Sequence, residues 1–222
     1  NGKRTAKASV RIAVEMAEEG IIDKERAIEL VDPNQLYQVL LPDFDPAAKK
    51  EAHKIAQGLA ASPGAAVGKI VFDTEEAAER GNAGEKVILV RLETCPDDIH
   101  GMIASQGVLT LRGGMTSHAA VVAKGMGKPC VAGCEDLKID LKNGTLTDGS
   151  GKVYHENDII SLDGGTGEVF EGSVHLVPPT LDDNFKKLFE WVNDVKLLSV
   201  RANADTPQDV AKALEMGAEG VG

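Results

Sequence analysis

Two periodicities of apolar residues alternate along this chain, and each change of period marks a change of predicted element. Near the N-terminus small apolar side chains recur at helical spacing, and Asp23 is suited to cap a second helix. The prolines of Leu41–Pro46 then remove backbone donors and break the pattern. The predicted elements are helices over 4–19, 24–31 and 47–57, the first two in a helical piece at 1–36 and the third in a linker at 37–57.

Beyond residue 60 the period changes to short runs typical of β-strands, separated by Gly, Asp and Asn and interleaved with single helices. The predicted strands are 67–72, 86–91, 107–111, 129–132 and the hairpin 158–162 with 168–171, and the predicted helices are 74–80, 96–104 and 118–125. Thr94 is predicted to cap the helix at 96–104. Strands that alternate with helices predict an α/β domain over 58–177, in which helices pack on a small sheet.

After the break at Val177–Pro179 the chain returns to a helical period. An amphipathic linker helix is predicted over 180–193, inside a linker at 178–194. The next residues predict a strand, a helix and the approach to a second strand, at 195–200, 207–216 and 217–222. Such a βαβ unit predicts that a barrel-like or doubly wound domain begins at 195–222. The chain starts without Met and stops inside an apolar run, so we expect a piece of a longer protein.

Composition narrows the class of protein without changing these elements. Lysine and arginine contribute 24 residues and aspartate and glutamate 35, and the resulting charge of −11 disfavours nucleic-acid binders, which depend on neutralising phosphates. At 42% hydrophobic residues the chain can bury a core, yet no apolar run approaches the ~20 residues of a membrane span. Cys95, Cys130 and Cys134 show no disulfide spacing. These features predict a soluble protein of a reducing compartment, with neither nucleic acid nor membrane as partner.

The segment 111–127 carries the candidate chemistry. A predicted strand is followed by two glycines, which permit a tight turn, and by a Thr–Ser pair that can cap a helix. His118 therefore lies in a first helical turn, where free N–H groups and partial positive charge favour a bound anion and disfavour a protonated ring. A neutral ring nitrogen can attack a phosphoryl group, whose oxygens the amides of Gly113 and Gly114 can approach. These residues point to a phosphohistidine at His118.

Simpler interpretations of the same residues exist. A single histidine in the first turn of a helix is more often a surface or capped residue than a nucleophile, and a Gly-Gly pair commonly marks an ordinary turn. Cys130 and Cys134 form only one partial pair for a zinc ion, so buried strand cysteines explain them better, and no metal site is predicted. The remaining histidines are interpreted as surface or structural residues: His53, His100, His155 and His175.

The catalytic interpretation is favoured by a resemblance that extends along most of the chain. The run Gly113–Gly127, continued by Lys128–Gly133, resembles the signature of the mobile phosphohistidine domain of the phosphoenolpyruvate-utilising enzymes. Further segments are similar to two parts of that domain and to the first strand and loop of the family's C-terminal barrel: Gly58–Gly68, Arg91–Met102 and Val200–Pro207. The resemblance implies a swivelling α/β domain between the last helices of a nucleotide-binding domain and the start of a TIM-type barrel.

A phosphoryl relay is the activity that this resemblance implies. ATP and phosphate would react at the nucleotide domain, His118 would carry the phosphoryl group, and pyruvate would accept it at the barrel, giving AMP, pyrophosphate and phosphoenolpyruvate. Mg²⁺ would be bound mainly by the neighbouring domains, where it neutralises phosphate charge. One histidine that serves two distant sites requires hinges, for which Leu41–Pro46 and Val177–Pro179 are suited. The chain alone is expected to be inactive in the net reaction.

The resemblance also implies roles for individual residues and for the whole enzyme. Gly113, Gly114, Thr116 and Ser117 would bind the phosphate, and Thr116 would be the position that a regulatory kinase and phosphatase modify. Arg201 would bind the phosphoenolpyruvate phosphate or the pyruvate carboxylate, with a surface salt bridge as the alternative. A homodimer formed through the barrel, in the cytoplasm or in a eukaryotic organelle such as a plastid, is expected. Two alternatives stay open: a relative that uses water instead of phosphate as second acceptor, and a non-catalytic phosphohistidine carrier module.

Overall fold

The structure is a computed structural model, and it describes residues 6–33, 36, 40–178, 182–204, 206–215 and 217–221. These residues fall into two compact units, one of residues 36–180 and one of residues 1–35 with 181–222. Several predictions extend outside the described residues: the starts of the helices at 4–19 and 180–193, Pro179 of the second expected hinge, and the ends of the last helix and strand at 216 and 222.

The elements alternate between helix and strand through most of the chain. The described helices are α1 (Ala6–Glu18), α2 (Lys24–Glu29), α3 (Pro46–Glu51), α4 (Thr74–Asn82), α5 (Ile99–Ala104), α6 (His118–Gly125), α7 (Asp183–Val195) and α8 (Pro207–Glu215). The described strands are β1 (Asp43–Phe44), β2 (Lys54–Gln57), β3 (Leu59–Ser62), β4 (Ala65–Val71), β5 (Val87–Arg91), β6 (Gly107–Thr110), β7 (Cys130–Ala132), β8 (Lys138–Asp140), β9 (Thr145–Thr147), β10 (Val153–His155), β11 (Ile159–Asp163), β12 (Glu168–Glu171), β13 (Leu176–Val177), β14 (Arg201–Ala202) and β15 (Gly220–Val221). The predicted α/β class is confirmed.

Eight strands of residues 36–180 form one mixed sheet in the order β2-β12-β11-β4-β5-β6-β7-β3. Neighbours from β4 to β7 are parallel, and the other neighbouring pairs of this sheet are antiparallel. Its two outermost strands, β2 and β3, are joined along the chain by Gly58 alone, so the sheet curls until its edges approach each other. This eight-stranded sheet is larger than the small sheet that was predicted, and its curled form resembles a barrel.

Both faces of the parallel strands are covered. Helices α4, α5 and α6 connect these strands in turn and pack on one face, as same-handed crossovers between sequential strands require. Val87 and Leu89 of β5 point to that face, whereas Ile88 and Val90 point to a second apolar cluster. Leu146 of the small sheet β10-β9-β8 belongs to the second cluster. Burial on both faces accounts for the unbroken apolar run of β5.

The helix predicted over 47–57 is wrong in its second half. Helix α3 ends at Glu51, and the next element is the edge strand β2, in which Ile55 and Ala56 are buried in the core of the sheet. Extended geometry wins because it satisfies the free edge of β12 and buries these two side chains. Lys49 ties α3 to the β11–β12 hairpin, with its Nζ 2.5 Å from Asp163 Oδ2.

Part of the first expected hinge is paired within this unit. Strand β1 lies antiparallel to β13, with Asp43 opposite Val177 and Phe44 opposite Leu176. Phe44 is buried and meets the ring of Phe170 edge-on, with 6.1 Å between the ring centroids. The two strands that enter and leave the unit therefore form one short ribbon.

The second unit contains α1, α2 and α7, which pack on one another, followed by a βαβ segment. Helix α7, expected in a linker, buries Phe185, Leu188 and Trp191, and the Lys24 Nζ of α2 lies 5.5 Å from the Trp191 ring centroid. The strand predicted at 195–200 is wrong, because α7 runs to Val195 and the chain pairs only where a partner exists. Strands β14 and β15 are parallel and joined by α8, so the predicted βαβ unit is present. Its continuation into a barrel stays a prediction.

Candidate phosphohistidine site

The candidate site lies at the carboxyl ends of the neighbouring parallel strands β5 and β6. The ladder between them continues past both strand ends, because Leu111 N–H donates to Arg91 O at 3.1 Å and Arg112 N–H to Leu92 O at 2.9 Å. The loop after β5 is thereby held beside the glycine loop that leads from β6 into α6. Ligand sites of open α/β sheets form at this edge, where successive loops meet.

The two glycines of the loop differ in what the structure requires of them. Gly113 has a φ of +105°, which disfavours any other residue, and an added Cβ would lie 2.8 Å from Ser117 Cβ. Gly133 supports the same turn from the segment after β7, since its own Cβ would lie 2.8 Å from Gly113 O. Around Gly114 there is no atom within 4 Å of an added Cβ among the described residues. Gly113 shapes the loop, and Gly114 borders open space.

Capping is carried by one of the two predicted residues. Ser117 has extended backbone angles and its Oγ accepts a hydrogen bond from Ala120 N at 3.4 Å, a long bond. Thr116 occupies an exposed turn, in which Ser117 N–H donates to Gly114 O at 3.0 Å. The predicted capping role is therefore confirmed for Ser117 and not for Thr116, whose side chain faces solvent.

His118 is the first residue of α6, as the sequence predicts, and is half-buried. Its Nδ1 lies 3.0 Å from Thr94 Oγ1. Within the described part of the chain, the hydrogen bonds leave its Nε2 without a partner. A ring held at one nitrogen and open at the other, beside the free N–H groups of a helix start, can receive a phosphoryl group.

Thr94 is a site residue that sequence reasoning placed elsewhere. The predicted cap of the helix at 96–104 is wrong: Cys95 precedes the short helical turn Pro96–Asp98, and its N–H donates to Asp98 Oδ2 at 2.8 Å. Thr94 is thus released to face His118. The signal was present, because both residues follow strands that were predicted to be consecutive, and such strands are often neighbours in a parallel sheet.

Behind Thr94 lies a buried polar cluster centred on Asp98, whose residue is only 3% exposed. Its Oδ1 accepts a hydrogen bond from Thr74 Oγ1 and lies 3.4 Å from Arg91 Nη2. Burial acts to raise the pKa of Asp98, but the hydrogen bonds from Thr74 and Cys95 and the charge of Arg91 outweigh it, so the pKa lies below its usual value. Asp98 is therefore held as a carboxylate.

The other residues singled out from the sequence lie apart from this cluster. Arg201 is exposed at the start of β14, in the other unit. Cys130 and Cys134 are buried, as predicted, and burial raises the pKa of each thiol to about 12. The histidines interpreted as surface or structural residues are all exposed: His53, His100, His155 and His175.

Comparison with known proteins agrees with the class that this fold and site suggest. The family model "PEP-utilising enzyme, mobile domain" matches residues 83–167, which include the β5 loop, the glycine loop and His118. The match confirms, for this part of the chain, the resemblance stated above.

Three curated relatives that the chain matches are each a pyruvate, phosphate dikinase. The whole chain aligns with 24% of the length of pyruvate, phosphate dikinase of Rhizobium meliloti (strain 1021), at 49% identity, and with 25% of that of Clostridium symbiosum, at 48% identity. It aligns with 23% of the chloroplastic pyruvate, phosphate dikinase of Mesembryanthemum crystallinum, at 51% identity. The chain thus spans about a quarter of the length of the curated relatives it matches.

Two further features of the described residues bear on possible classes of function. None of their helices combines the length and apolarity needed to cross a membrane. They also contain no group of three or more His, Cys, Asp or Glu side chains that could hold a metal ion.

Proposed function

We propose that residues 58–177 form the phosphoryl carrier of a pyruvate, phosphate dikinase, with His118 as the residue that is phosphorylated. One observation carries the proposal: Thr94 Oγ1 lies 3.0 Å from Nδ1 of His118, while Nε2 has no partner among the described residues. A ring that is held at one nitrogen and open at the other has the arrangement that a phosphoryl carrier needs. The matched family and the names of the relatives support the same assignment.

The ring chemistry follows from this arrangement. We assign the ring proton to Nδ1, whose N–H donates a hydrogen bond to Thr94 Oγ1, because that tautomer leaves the lone pair on Nε2. Nε2 attacks the donor phosphorus, an N–P bond forms, and the bond from phosphorus to the leaving oxygen breaks. The phosphorylated ring keeps its Nδ1 proton and becomes cationic, a charge that the hydrogen bond to Thr94 stabilises. Attack by the acceptor oxygen then breaks the N–P bond and restores the neutral ring.

In the whole enzyme this step links two reactions. ATP and phosphate give AMP, pyrophosphate and the phosphohistidine, and pyruvate takes the phosphoryl group to become phosphoenolpyruvate, all reversibly. We assign residues 1–36 to the end of the nucleotide-binding domain and residues 195–222 to the start of the phosphoenolpyruvate/pyruvate barrel. Residues 37–57 and 178–194 are assigned as the connecting segments, and strand β2 at the end of the first one is part of the carrier's sheet. Mg²⁺ would neutralise phosphate charge at the two reaction sites, and we assign it to the domains outside this chain.

Residues around His118 receive matching roles. The amides of Gly113 and Gly114, with Ser117, would contact the phosphoryl oxygens at the start of α6. Exposed Thr116 is suited to modification by a regulatory kinase and phosphatase, and a phosphate there would repel one on His118. Arg201, exposed at a strand start, would bind phosphoenolpyruvate or pyruvate.

The setting of the enzyme is part of the same proposal. Three free cysteines fit a reducing compartment, the cytoplasm or, in a eukaryote, an organelle such as a plastid. A homodimer formed through the barrel rests on the family resemblance.

Mass spectrometry of the full-length protein tests the proposal. After incubation with ATP, phosphate and Mg²⁺ we expect acid-labile phosphate on His118 and none in His118→Asn. The variant should also lose ATP/AMP exchange, and retained exchange would show that His118 is not the carrier.

The same assay separates the alternatives. Labelling and turnover that need no added phosphate and release no pyrophosphate would indicate phosphoenolpyruvate synthase, in which water is the second acceptor. Labelling without net turnover would indicate a non-catalytic carrier module.

A further inference from the structure

We propose that Asp98 is a positioning residue for phosphoryl transfer, acting through Thr94 to fix the ring of His118; this rests on the proposed function of His118. Asp98 does not contact His118 in the hydrogen bonds of the described residues. Its carboxylate instead determines where the loop after β5 places the Thr94 hydroxyl.

The link from Asp98 to Thr94 is a single peptide unit. Asp98 Oδ2 accepts a hydrogen bond of 2.8 Å from Cys95 N–H, and this N–H belongs to the planar peptide that joins Thr94 to Cys95. Asp98 N–H in turn donates to Cys95 O at 3.0 Å. With that plane fixed, the backbone of Thr94 loses one of its two soft rotations, and its side chain is directed at His118 Nδ1.

Asp98 can act as an anchor because it is tied to two rigid elements. Its other oxygen, Oδ1, accepts from Thr74 Oγ1 at the start of α4 and lies 3.4 Å from Arg91 Nη2 at the end of β5. Arg91 Nη1 also donates to Phe72 O at 3.1 Å, after β4. A Cβ on Gly101 would lie 2.7 Å from Thr74 O, so α5 sits directly against Thr74. Through Asp98, Thr74 and Arg91 the position of the Thr94 loop is fixed relative to β4, β5, α4 and α5.

This arrangement has a function beyond stability. In the proposed tautomer Thr94 Oγ1 accepts the hydrogen bond from Nδ1–H, and this form leaves the lone pair on Nε2 for attack. Removal of the Asp98 carboxylate should therefore slow phosphorylation of His118 while leaving the fold in place. In a chain that already lacks the Thr94 hydroxyl, the same removal should cause no further decrease in rate.

A double-mutant cycle measures that dependence. In the full-length protein, the rate of His118 phosphorylation from ATP, phosphate and Mg²⁺ is followed by rapid quenching for wild type, Asp98→Ala, Thr94→Val and the double variant. We expect Asp98→Ala and Thr94→Val each to be slower by roughly tenfold, and the double variant to be no slower than Thr94→Val. Asp97→Ala, which removes an exposed carboxylate one position away, is the matched control and should keep the wild-type rate.

The ring proton gives an independent readout. In the 222-residue chain, ¹⁵N shifts of the His118 ring, assigned by comparison with His118→Asn, should report the Nδ1–H form in wild type and in Asp97→Ala. Asp98→Ala should move the population towards the Nε2–H form. A purely structural role for Asp98 would lower stability without moving this ratio.

Three other outcomes would overturn the proposed role of Asp98. Equal losses from Asp98→Ala with and without Thr94→Val, or a wild-type rate in Asp98→Ala, would overturn the inference. A normal rate in Thr94→Val would also overturn it, and His118→Asn would still report separately on the proposed function. Should Asp98→Ala fail to fold, Thr74→Val replaces it: this variant keeps the side-chain volume and removes one donor to Asp98. It should slow phosphorylation about threefold, and only when Thr94 is present.

Discussion

His118 owes its candidate role to the different surroundings of its two ring nitrogens. The glycine loop and Ser117 explain why the ring stands at a helix start, and these features could be read from the sequence. Thr94, 24 residues away, explains which nitrogen is left open. The order of the predicted strands indicates that the two loops are neighbours, and the register between β5 and β6 brings the two side chains together. Local patterns predict positions along one element, whereas partners from another loop depend on how strands are paired.

The two loop glycines should respond differently to the same substitution. Gly113→Ala should lower the free energy of unfolding by about 1–3 kcal/mol, because alanine disfavours a φ of +105° and its Cβ would meet Ser117. Gly114→Ala should change it by less than about 0.5 kcal/mol, since open space surrounds the added Cβ among the described residues. Urea denaturation of the 222-residue chain measures both.

Phosphorylation should reveal a requirement for Gly114 that stability does not show. If Gly114 lets the phosphoryl group approach the backbone, Gly114→Ala should slow labelling of His118 in the full-length protein by about tenfold despite normal stability. Normal labelling in Gly114→Ala would remove Gly114 from the phosphate-binding residues.

Asp98 should contribute to stability in a pH-dependent way. Its pKa is lower in the folded chain than the usual ~3.9, so its contribution is present above that pH and is lost as pH falls through the folded value. Asp98→Asn should therefore lower the unfolding free energy by about 1–3 kcal/mol at pH 7, and the difference from wild type should shrink below about pH 4. Urea denaturation from pH 7 to pH 3 checks this. Exposed Asp97→Asn should show little difference at any pH, and a pH-independent deficit in Asp98→Asn would contradict the assignment.

At the scale of elements, the parallel strands, the β11–β12 hairpin and the helices α4, α5 and α6 follow from periodicity and turn residues. The parallel strands and α6 were predicted close to their observed limits because both kinds of element bury regular apolar faces. The failures have a common cause. Strand β2 was predicted as helix and residues 195–200 as strand, because strand formation depends on whether a partner is available, and short local patterns do not contain that information.

Closure of the sheet depends on the one-residue joint between β2 and β3. A Cβ at Gly58 would lie 2.5 Å from Cys134 Sγ and 2.7 Å from Ala132 O, so Gly58→Ala should lower the unfolding free energy by about 1–3 kcal/mol. Gly125→Ala is the matched control, because Gly125 ends α6 in open space among the described residues; it should be neutral or stabilising by up to about 1 kcal/mol. Thermal unfolding of both variants decides, and an undiminished Tm for Gly58→Ala would mean that the edges are not in such close contact.

At the scale of the whole molecule, the chain enters and leaves the larger unit through the paired strands β1 and β13. Asp45 N–H donates to His175 O at 2.9 Å, which extends that pairing by one further bond. A carrier that moves between two reaction sites needs bending segments, and the ribbon excludes Asp43–Phe44 and Leu176–Val177 as freely bending residues while it stays paired. The movement should therefore be a rotation of the entire unit together with its ribbon.

Limited proteolysis of the 222-residue chain tests this division. Backbone that is paired or buried resists cleavage, because a protease must bind an extended, unpaired segment. We expect the first stable fragment, identified by mass spectrometry, to retain residues 43–177 intact, with the cuts on either side of them. Phe44→Ala removes a buried ring from the ribbon and should allow cleavage close to residue 44, whereas Phe189→Ala, at a half-exposed position of α7, should leave that part of the pattern unchanged. A first cut inside 60–175 in the wild-type chain would contradict a carrier that moves as one body.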